Sequence, residues 1–212
     1  MNELSKRFRG FMPVVVDVEC TGTDPTKHAM IELAAISTKM DEAGFIFPDK
    51  EYHYHIIPFE GAVIDPKALV YNKIDIDHPF RFAISETEAV RGFLKQIRKE
   101  YKEKGCTRAV LVGHNAWFDH HFLNAAIARI KITKHAFHKF TSIDTATLSA
   151  LVFGQTVLAK ALHAAGIPFN EEEAHSAIYD TRVTAELFCK IVNRWKTLGG
   201  LDEAKPPAIL EG

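Results

Sequence analysis

Cysteine is scarce in this sequence: Cys20, Cys106 and Cys189 are the only three in 212 residues. Their odd number and wide spacing, with no Cys-x-x-Cys pair, argue against a disulfide framework and against a zinc site. A reducing cytoplasm fits that usage. Charge of one sign is equally lacking. Lys and Arg number 26 against 27 Asp and Glu, a net charge of −1, so a nucleic-acid partner would need a local basic patch rather than bulk charge. Long hydrophobic runs are missing too. Stretches such as Val14–Val16 and Ala109–Val112 stop far short of the ~20 residues that span a bilayer, so no membrane partner is expected. The basic N-terminus (Lys6, Arg7, Arg9) leads into an apolar run that Asp17 ends, too soon for a secretory signal. No repeat, low-complexity block or linker divides the chain, and its length suits one core. Residues 1–200 are therefore expected to form a single domain. Residues 201–212, with Pro206–Pro207 and no periodic apolar face, are expected to be a flexible C-terminal tail.

What is present reads as strands first. Met12–Glu19 is short and β-branched, Met30–Met40 alternates with Ile31, Leu33 and Ala35 on one face, and Glu51–Ile57 is a third candidate. Turn chemistry from Gly22 to Pro25 and from Gly44 to Asp49 separates them. Such short connections predict an antiparallel meander. Ser85–Lys104 opens with a capping box, Ser85 and Glu88, keeps helical spacing through Val90, Phe93, Leu94, Ile97 and Tyr101, and ends at Gly105. A buried strand at Arg108–Gly113, a helix from Phe118 to Arg129 and a strand at Phe140–Ile143 follow. Helices at Thr145–Val152, Gln155–Ala165 and Ala177–Leu198 complete the chain. Three meander strands followed by two strand–helix units make an α/β layered sheet.

Asp17 and Glu19 flank Val18 in the first strand, so both side chains project from one face. Acids are poor strand formers, and burying them ionised and unpaired is costly. The bland alternative is that the strand simply ends there with Glu19 in solvent. Asp119 falls at the C-terminal end of a buried strand and in the first turn of a helix, where α/β sheets favour ligand sites. Alone it reads equally as an acid complementing the helix dipole. Asp180 heads the stripe Thr184, Leu187, Ile191 of the last helix and so points inward; a buried ion pair with an Arg is the alternative. His175 and Asp180 on one helix would stand about 140° apart at about 100° per residue. That places His175 in the preceding loop, with Ser176 as N-cap and Asp180 in the first turn. By itself His175 is an ordinary surface or capping histidine. Four carboxylates brought together repel by roughly 3 kcal/mol per pair at about 5 Å and an effective dielectric near 20. They must then protonate or bind cations, and all-oxygen ligands favour hard ions, Mg²⁺ or Mn²⁺.

Asp17-Val18-Glu19, His114-Asn115-Ala116-Trp117-Phe118-Asp119 and His175-Ser176-Ala177-Ile178-Tyr179-Asp180 resemble, in order and spacing, the three motifs of the DEDDh exonucleases. The similarity is closer to the ribonuclease T family. Arg7-Phe8-Arg9-Gly10-Phe11, Gly154-Gln155-Thr156-Val157-Leu158 and Ile191-Val192-Asn193-Arg194-Trp195-Lys196 extend it over nearly the whole chain. The resemblance implies a ribonuclease-H-like α/β fold, a five-stranded mixed sheet flanked by helices. It also implies a cytoplasmic homodimer that trims the 3′ ends of tRNA and other stable RNAs and acts on single-stranded DNA 3′ ends.

The implied chemistry is phosphodiester hydrolysis with two Mg²⁺ per active site, Mn²⁺ being possible. Asp17, Glu19, Asp119 and Asp180 would hold the ions about 3.5–4 Å apart, and His175 would serve as general base. Asp144 reads as a supporting acid behind the ligands. Phe118, Phe140 and Tyr71, the last in a loop-like stretch, are the candidates for stacking on terminal bases, although core packing explains any single aromatic. Arg7, Arg9, Arg108 and Lys134 belong to three basic groups that match the family's RNA-backbone contacts. Two positions depart from the family: Thr23 where Phe is usual and Lys67 where Glu is usual. Both positions serve terminal-base recognition in the family, so base preference stays open. Rival readings are another DEDDh enzyme (a DNA proofreading subunit or an oligoribonuclease) and a catalytically dead nucleic-acid-binding domain. The Arg-Phe-Arg and Asn-Arg-Trp-Lys segments weigh against the first, and retention of every motif acid against the second.

Overall fold

The computed structural model describes residues 3–174 and 176–200. β1 (Phe11–Cys20), β2 (Met30–Met40) and β3 (Ile46–Ile57) form the expected antiparallel meander. A two-residue strand, β4 (Ile84–Ser85), lies parallel to the end of β3. β5 (Arg108–Gly113) runs parallel to β1, and β6 (Phe137–Asp144) parallel to β5. The result is one mixed sheet in the order β4-β3-β2-β1-β5-β6, the five expected strands plus a short sixth. In β1, Met12 through Val16 are all buried, so both faces of this interior strand are covered. β2 is buried from Met30 through Thr38, which corrects the one-faced alternation expected for it.

The helices are α1 (Pro66–Asn72), α2 (Glu86–Glu103), α3 (Trp117–Arg129), α4 (Thr145–Phe153), α5 (Leu158–Ala165) and α6 (Ala177–Thr197). α6 packs on β1, β2 and β3, and α2 on β3 and β5. The capping box at α2 is formed as expected: the Ser85 hydroxyl accepts from the Glu88 amide, and the Glu88 carboxylate accepts from the Ser85 amide.

Several boundaries differ from expectation for identifiable reasons. β3 begins at Ile46 rather than Glu51. The Asn193 amide on α6 accepts from Ile46 N–H (2.8 Å) and donates to Ile46 C=O (2.9 Å), pinning the strand where local turn propensity alone pointed to a loop. α5 begins at Leu158 rather than Gln155, because the Thr156 carbonyl is taken by His114 Nε2 at 2.8 Å. β6 starts at Phe137, opposite Ala109, three residues earlier than expected. α1 was not expected. Its start signal is present, Asp65 accepting from Lys67 N–H ahead of Pro66, but seven residues are too few to show a stripe. Tyr71 therefore sits on a helix rather than in a loop.

A largely buried ion pair ties α3 to the start of α2. Arg129, on α3, makes a two-pronged contact with Glu86 at the start of α2 (2.7–3.2 Å), donates to Pro25 C=O and stacks over Phe59. Arg129→Ala would leave the Glu86 carboxylate buried without its partner, and is expected to cost about 3 kcal/mol in urea unfolding. A cost below about 1 kcal/mol would mean that water, not Arg129, solvates Glu86.

Candidate active site

The pleat of β1 sends Asp17 and Glu19 to the same face, with Ala34 and Glu32 of β2 opposite them. The first turn of α6 brings in Asp180. Carboxylate oxygens of Asp17, Glu19 and Asp180 lie within 4.8 Å of one another. Asp119, in the first turn of α3, is 4% exposed, and its Oδ1 accepts from the Val18 main-chain N–H at 3.1 Å. That bond fastens the fourth acid to the strand that carries the first two. Gly113 makes room for it: a Cβ there would stand 3.0 Å from Asp119 Oδ2 and 3.1 Å from Ala116 Cα. All four acids line one cavity of about 470 Å³, together with His114, Asn115, Trp117 and Phe118.

Among the described residues no basic side chain pairs with Asp17, Glu19 or Asp119. Burial, followed by the neighbouring carboxylates, drives the Asp17 carboxyl far above its ordinary range. The same two causes push Glu19 up to about 9. Burial pushes Asp119 up to about 8, although the Val18 N–H pulls the other way. Buried acids that must protonate unless positive charge arrives are what a divalent-cation site looks like before the cation is added. The donor set is entirely oxygen, and the four acids are positioned by three different elements rather than by accident of one loop.

The other expected residues separate into groups. Phe118 is half-buried on the cavity wall, its ring 4.9 Å from Phe122 and 5.8 Å from Trp117. Trp117, 58% exposed on the same wall, was missed by sequence reasoning. Its only signal was its place between Ala116 and Phe118 in the motif. Phe140 is 80% exposed but does not line the cavity. It belongs to a string that runs away from the acids: Phe11 and His138 are 5.3 Å apart, His138 and Phe140 6.5 Å, and Lys139 lies over Phe140. Arg9, over Phe11, and Arg108, opposite Phe11 in β5, share that end, and Arg7 lies over Phe8. The Lys134 carbonyl accepts from Arg98, leaving its side chain on the surface. Tyr71 is exposed on α1 and also outside the cavity lining, but its neighbour Asn72 donates to Cys20 C=O, one residue past Glu19. Asp144 caps α4 by accepting from Ala146 N–H, and it accepts from Asn115 N–H, so it shapes the loop that carries Asp119. His175 lies outside the described residues. Ser176 is the N-cap residue of α6, as expected, but its side chain makes no capping hydrogen bond.

An exonuclease family model, RNase T, matches residues 14–188. A ribonuclease T from Yersinia pseudotuberculosis is 52% identical over 200 residues, covering 94% of this chain and 93% of that one.

The chain belongs to the ribonuclease T family.

A ribonuclease T from Pectobacterium atrosepticum is 51% identical over 211 residues, covering 100% of this chain and 95% of its own length. Among solved structures, E. coli exonuclease I in complex with a dT13 oligonucleotide superimposes with a TM-score of 0.66 at 15% identity. That match covers 89% of this chain but only 42% of exonuclease I, and it establishes the ribonuclease-H-like fold. As a ribonuclease T family member the protein is a hydrolytic 3′→5′ exonuclease, and Asp17, Glu19 and Asp180 are grouped closely enough that they could hold a divalent cation. No single described helix is long and apolar enough to cross a membrane.

Two expectations follow for this ribonuclease T family member. A carboxyl whose pKa is higher folded than unfolded favours the fold while protonated. The cluster's contribution is thus fully present below about pH 4 and is lost as pH rises toward the folded values of about 8 and 9. Thermal unfolding in EDTA should fall steadily over that window, and millimolar divalent cation should raise Tm more at pH 9 than at pH 5. Equal increments at both pH values would remove these acids from the metal site. Gly113→Ala, which forces Asp119 aside, is expected to weaken divalent-cation binding at least about tenfold by calorimetry while leaving the circular dichroism spectrum intact; unchanged binding would take Asp119 out of the ligand set.

Proposed function

We propose that this protein is an exoribonuclease that trims the 3′ ends of tRNA and other stable RNAs. It also removes nucleotides from single-stranded DNA 3′ overhangs, releasing nucleoside 5′-monophosphates one at a time. The observation that carries this reading is the convergence of Asp17, Glu19, Asp119 and Asp180 on one cavity. High identity to ribonuclease T proteins over nearly the whole chain supports the substrate class. In this reading residues 1–200 act as one exonuclease domain, working as a homodimer in the cytoplasm.

Asp17, Glu19, Asp119 and Asp180 hold two Mg²⁺ ions, with Mn²⁺ as a substitute. When bound, such a pair supplies a nucleophilic water at neutral pH and stabilises charge at the leaving 3′ oxygen. The Val18 N–H keeps the Asp119 carboxylate turned toward the cavity rather than into the core. Phe118 and Trp117 offer faces for a terminal base at the cavity wall. Phe140, Arg7, Arg9, Arg108 and Lys134 contact the strand farther from the scissile bond, and their placement away from the acids fits a contact that reaches a partner subunit's substrate. Tyr71, exposed on the helix that Asn72 ties to the end of β1, offers a further ring for stacking on the strand. His175, immediately before the N-cap of α6, takes the proton of the attacking water on an imidazole nitrogen. Thr23 and Lys67 depart from the family, so the family's terminal-base preference is not carried over to this chain. Asp144 supports the site by holding the Asn115 loop.

The test is digestion of a 5′-labelled duplex with a single-stranded 3′ overhang in Mg²⁺. Products should shorten from the 3′ end and stop near the duplex, and EDTA should abolish them. His175→Ala is expected to lower kcat by about 10²–10⁴. Asp17→Asn should be inactive. Substrate left intact by a folded wild-type protein that still binds the strand would reduce the protein to a binding module. A tRNA substrate trimmed no faster than mismatched primer DNA would favour a proofreading role.

A further inference from the structure

The polar row that begins with the catalytic-face acids does not stop at β1. In the antiparallel register Glu19 stands opposite Glu32, and Glu32 opposite His55. One step along, Asp17 stands opposite Ala34, and Ala34 opposite His53. Directly opposed residues share a face, so Glu32, His53 and His55 lie on the same side of the sheet as Asp17 and Glu19. They are farther out, on the last two long strands, and none of them lines the acidic cavity. We infer that Glu32, His53 and His55 form a second cation site, which takes a zinc-class divalent ion rather than Mg²⁺.

Four observations carry this. First, the three residues present one ligand atom each within 4.8 Å of one another. His55 Nδ1 is 2.9 Å from Glu32 Oε1, and His53 Nε2 is 3.8 Å from Glu32 Oε2. Ligands bound to one ion at about 2.0–2.1 Å stand a little over 3 Å apart, so small side-chain rotations close the set. Second, His55 Nδ1 is buried and makes no hydrogen bond. Its 2.9 Å approach to Glu32 Oε1 is an ion-pair distance without hydrogen-bond geometry, and a cation bound by both atoms would satisfy them. Third, the one strong cation nearby is committed elsewhere. Arg81 gives its terminal nitrogens to the carbonyls of Ile56 and Ile31 and forms no ion pair with Glu32. Fourth, Glu32 is only 8% exposed, so its carboxylate is largely withdrawn from water.

Two imidazoles and one carboxylate suit zinc, cobalt or nickel. Magnesium, which prefers oxygen, suits the neighbouring carboxylates instead. Three protein ligands leave one position open, on a site whose ligand Glu32 sits directly across the strand from Glu19. The site would therefore exist whatever substrate the nuclease acts on.

The test titrates Co²⁺, as a spectroscopic stand-in for zinc, into full-length protein held in saturating Mg²⁺ so that hard-ion ligands are occupied. One equivalent should bind with the visible absorption of a low-coordinate nitrogen–oxygen site. Affinity should fall at least about tenfold in His53→Ala/His55→Ala. An unchanged spectrum in that variant, or no visible band in the wild type, overturns the site. Should the double variant fail to fold, crystals of the wild type soaked in Zn²⁺ decide the matter. An anomalous peak among Glu32, His53 and His55 supports the site, and peaks confined to Asp17, Glu19 and Asp180 overturn it.

Discussion

The cost of holding carboxylates out of water governs this molecule. β1 is an interior strand, buried on both faces through Met12–Val16, yet at the very next residue it begins to turn Asp17 and then Glu19 toward two more acids. Nothing in the described fold neutralises Asp17, Glu19 or Asp119, so burial and mutual repulsion raise their pKa values. A chain organised for stability alone would not accept that. Bound positive charge would relieve that cost, and the surrounding elements keep the acids together.

The means are local and specific. Val18 lends its N–H to Asp119, so the residue between the two strand acids positions the third. Gly113 has no Cβ, and so lets that third carboxylate lie against the end of β5. Asp144 uses its carboxylate twice, capping α4 and holding Asn115, in the loop that leads into α3. His114 lies on the cavity wall but uses Nε2 on the Thr156 carbonyl, so its ring braces the α4–α5 connection. Each support comes from a residue adjacent in sequence to a motif acid, or from the strand end beside it. The motif segments thus hold the acids in place as well as supply them.

Across the sheet, the same pleat that aligns Asp17 with Glu19 continues through Glu32 to His53 and His55. Glu32 feels both sides: it adds to the charge that raises Asp17 and Glu19, and while burial raises its own carboxyl, the histidines and Arg81 outweigh that and lower it. The row of polar side chains is therefore electrostatically continuous over three strands, while the apolar core lies beneath and beside it.

Much of this was legible in the residues. Alternation put Asp17 and Glu19 on one face, because a strand's period of two depends on nothing distant. The capping box at Ser85 and the stripe of α6 are equally local, and the resemblance of the three motifs to the DEDDh exonucleases pointed to the four acids standing together. Other features were decided only in the folded chain. The start of β3 at Ile46 depends on Asn193, 147 residues away, and the delayed start of α5 on a histidine 42 residues away. Tyr71 gained a helix too short to show periodicity. Phe140, near the acids by strand order, proved to lie with Phe11 and His138 away from them, because parallel β5–β6 pairing carries it toward the opposite strand end. Glu32, His53 and His55 drew no notice in the sequence, since only strand register makes neighbours of them. Short-range periodicity and caps are written in adjacent residues, whereas register and long-range hydrogen bonds exist only once the sheet has formed.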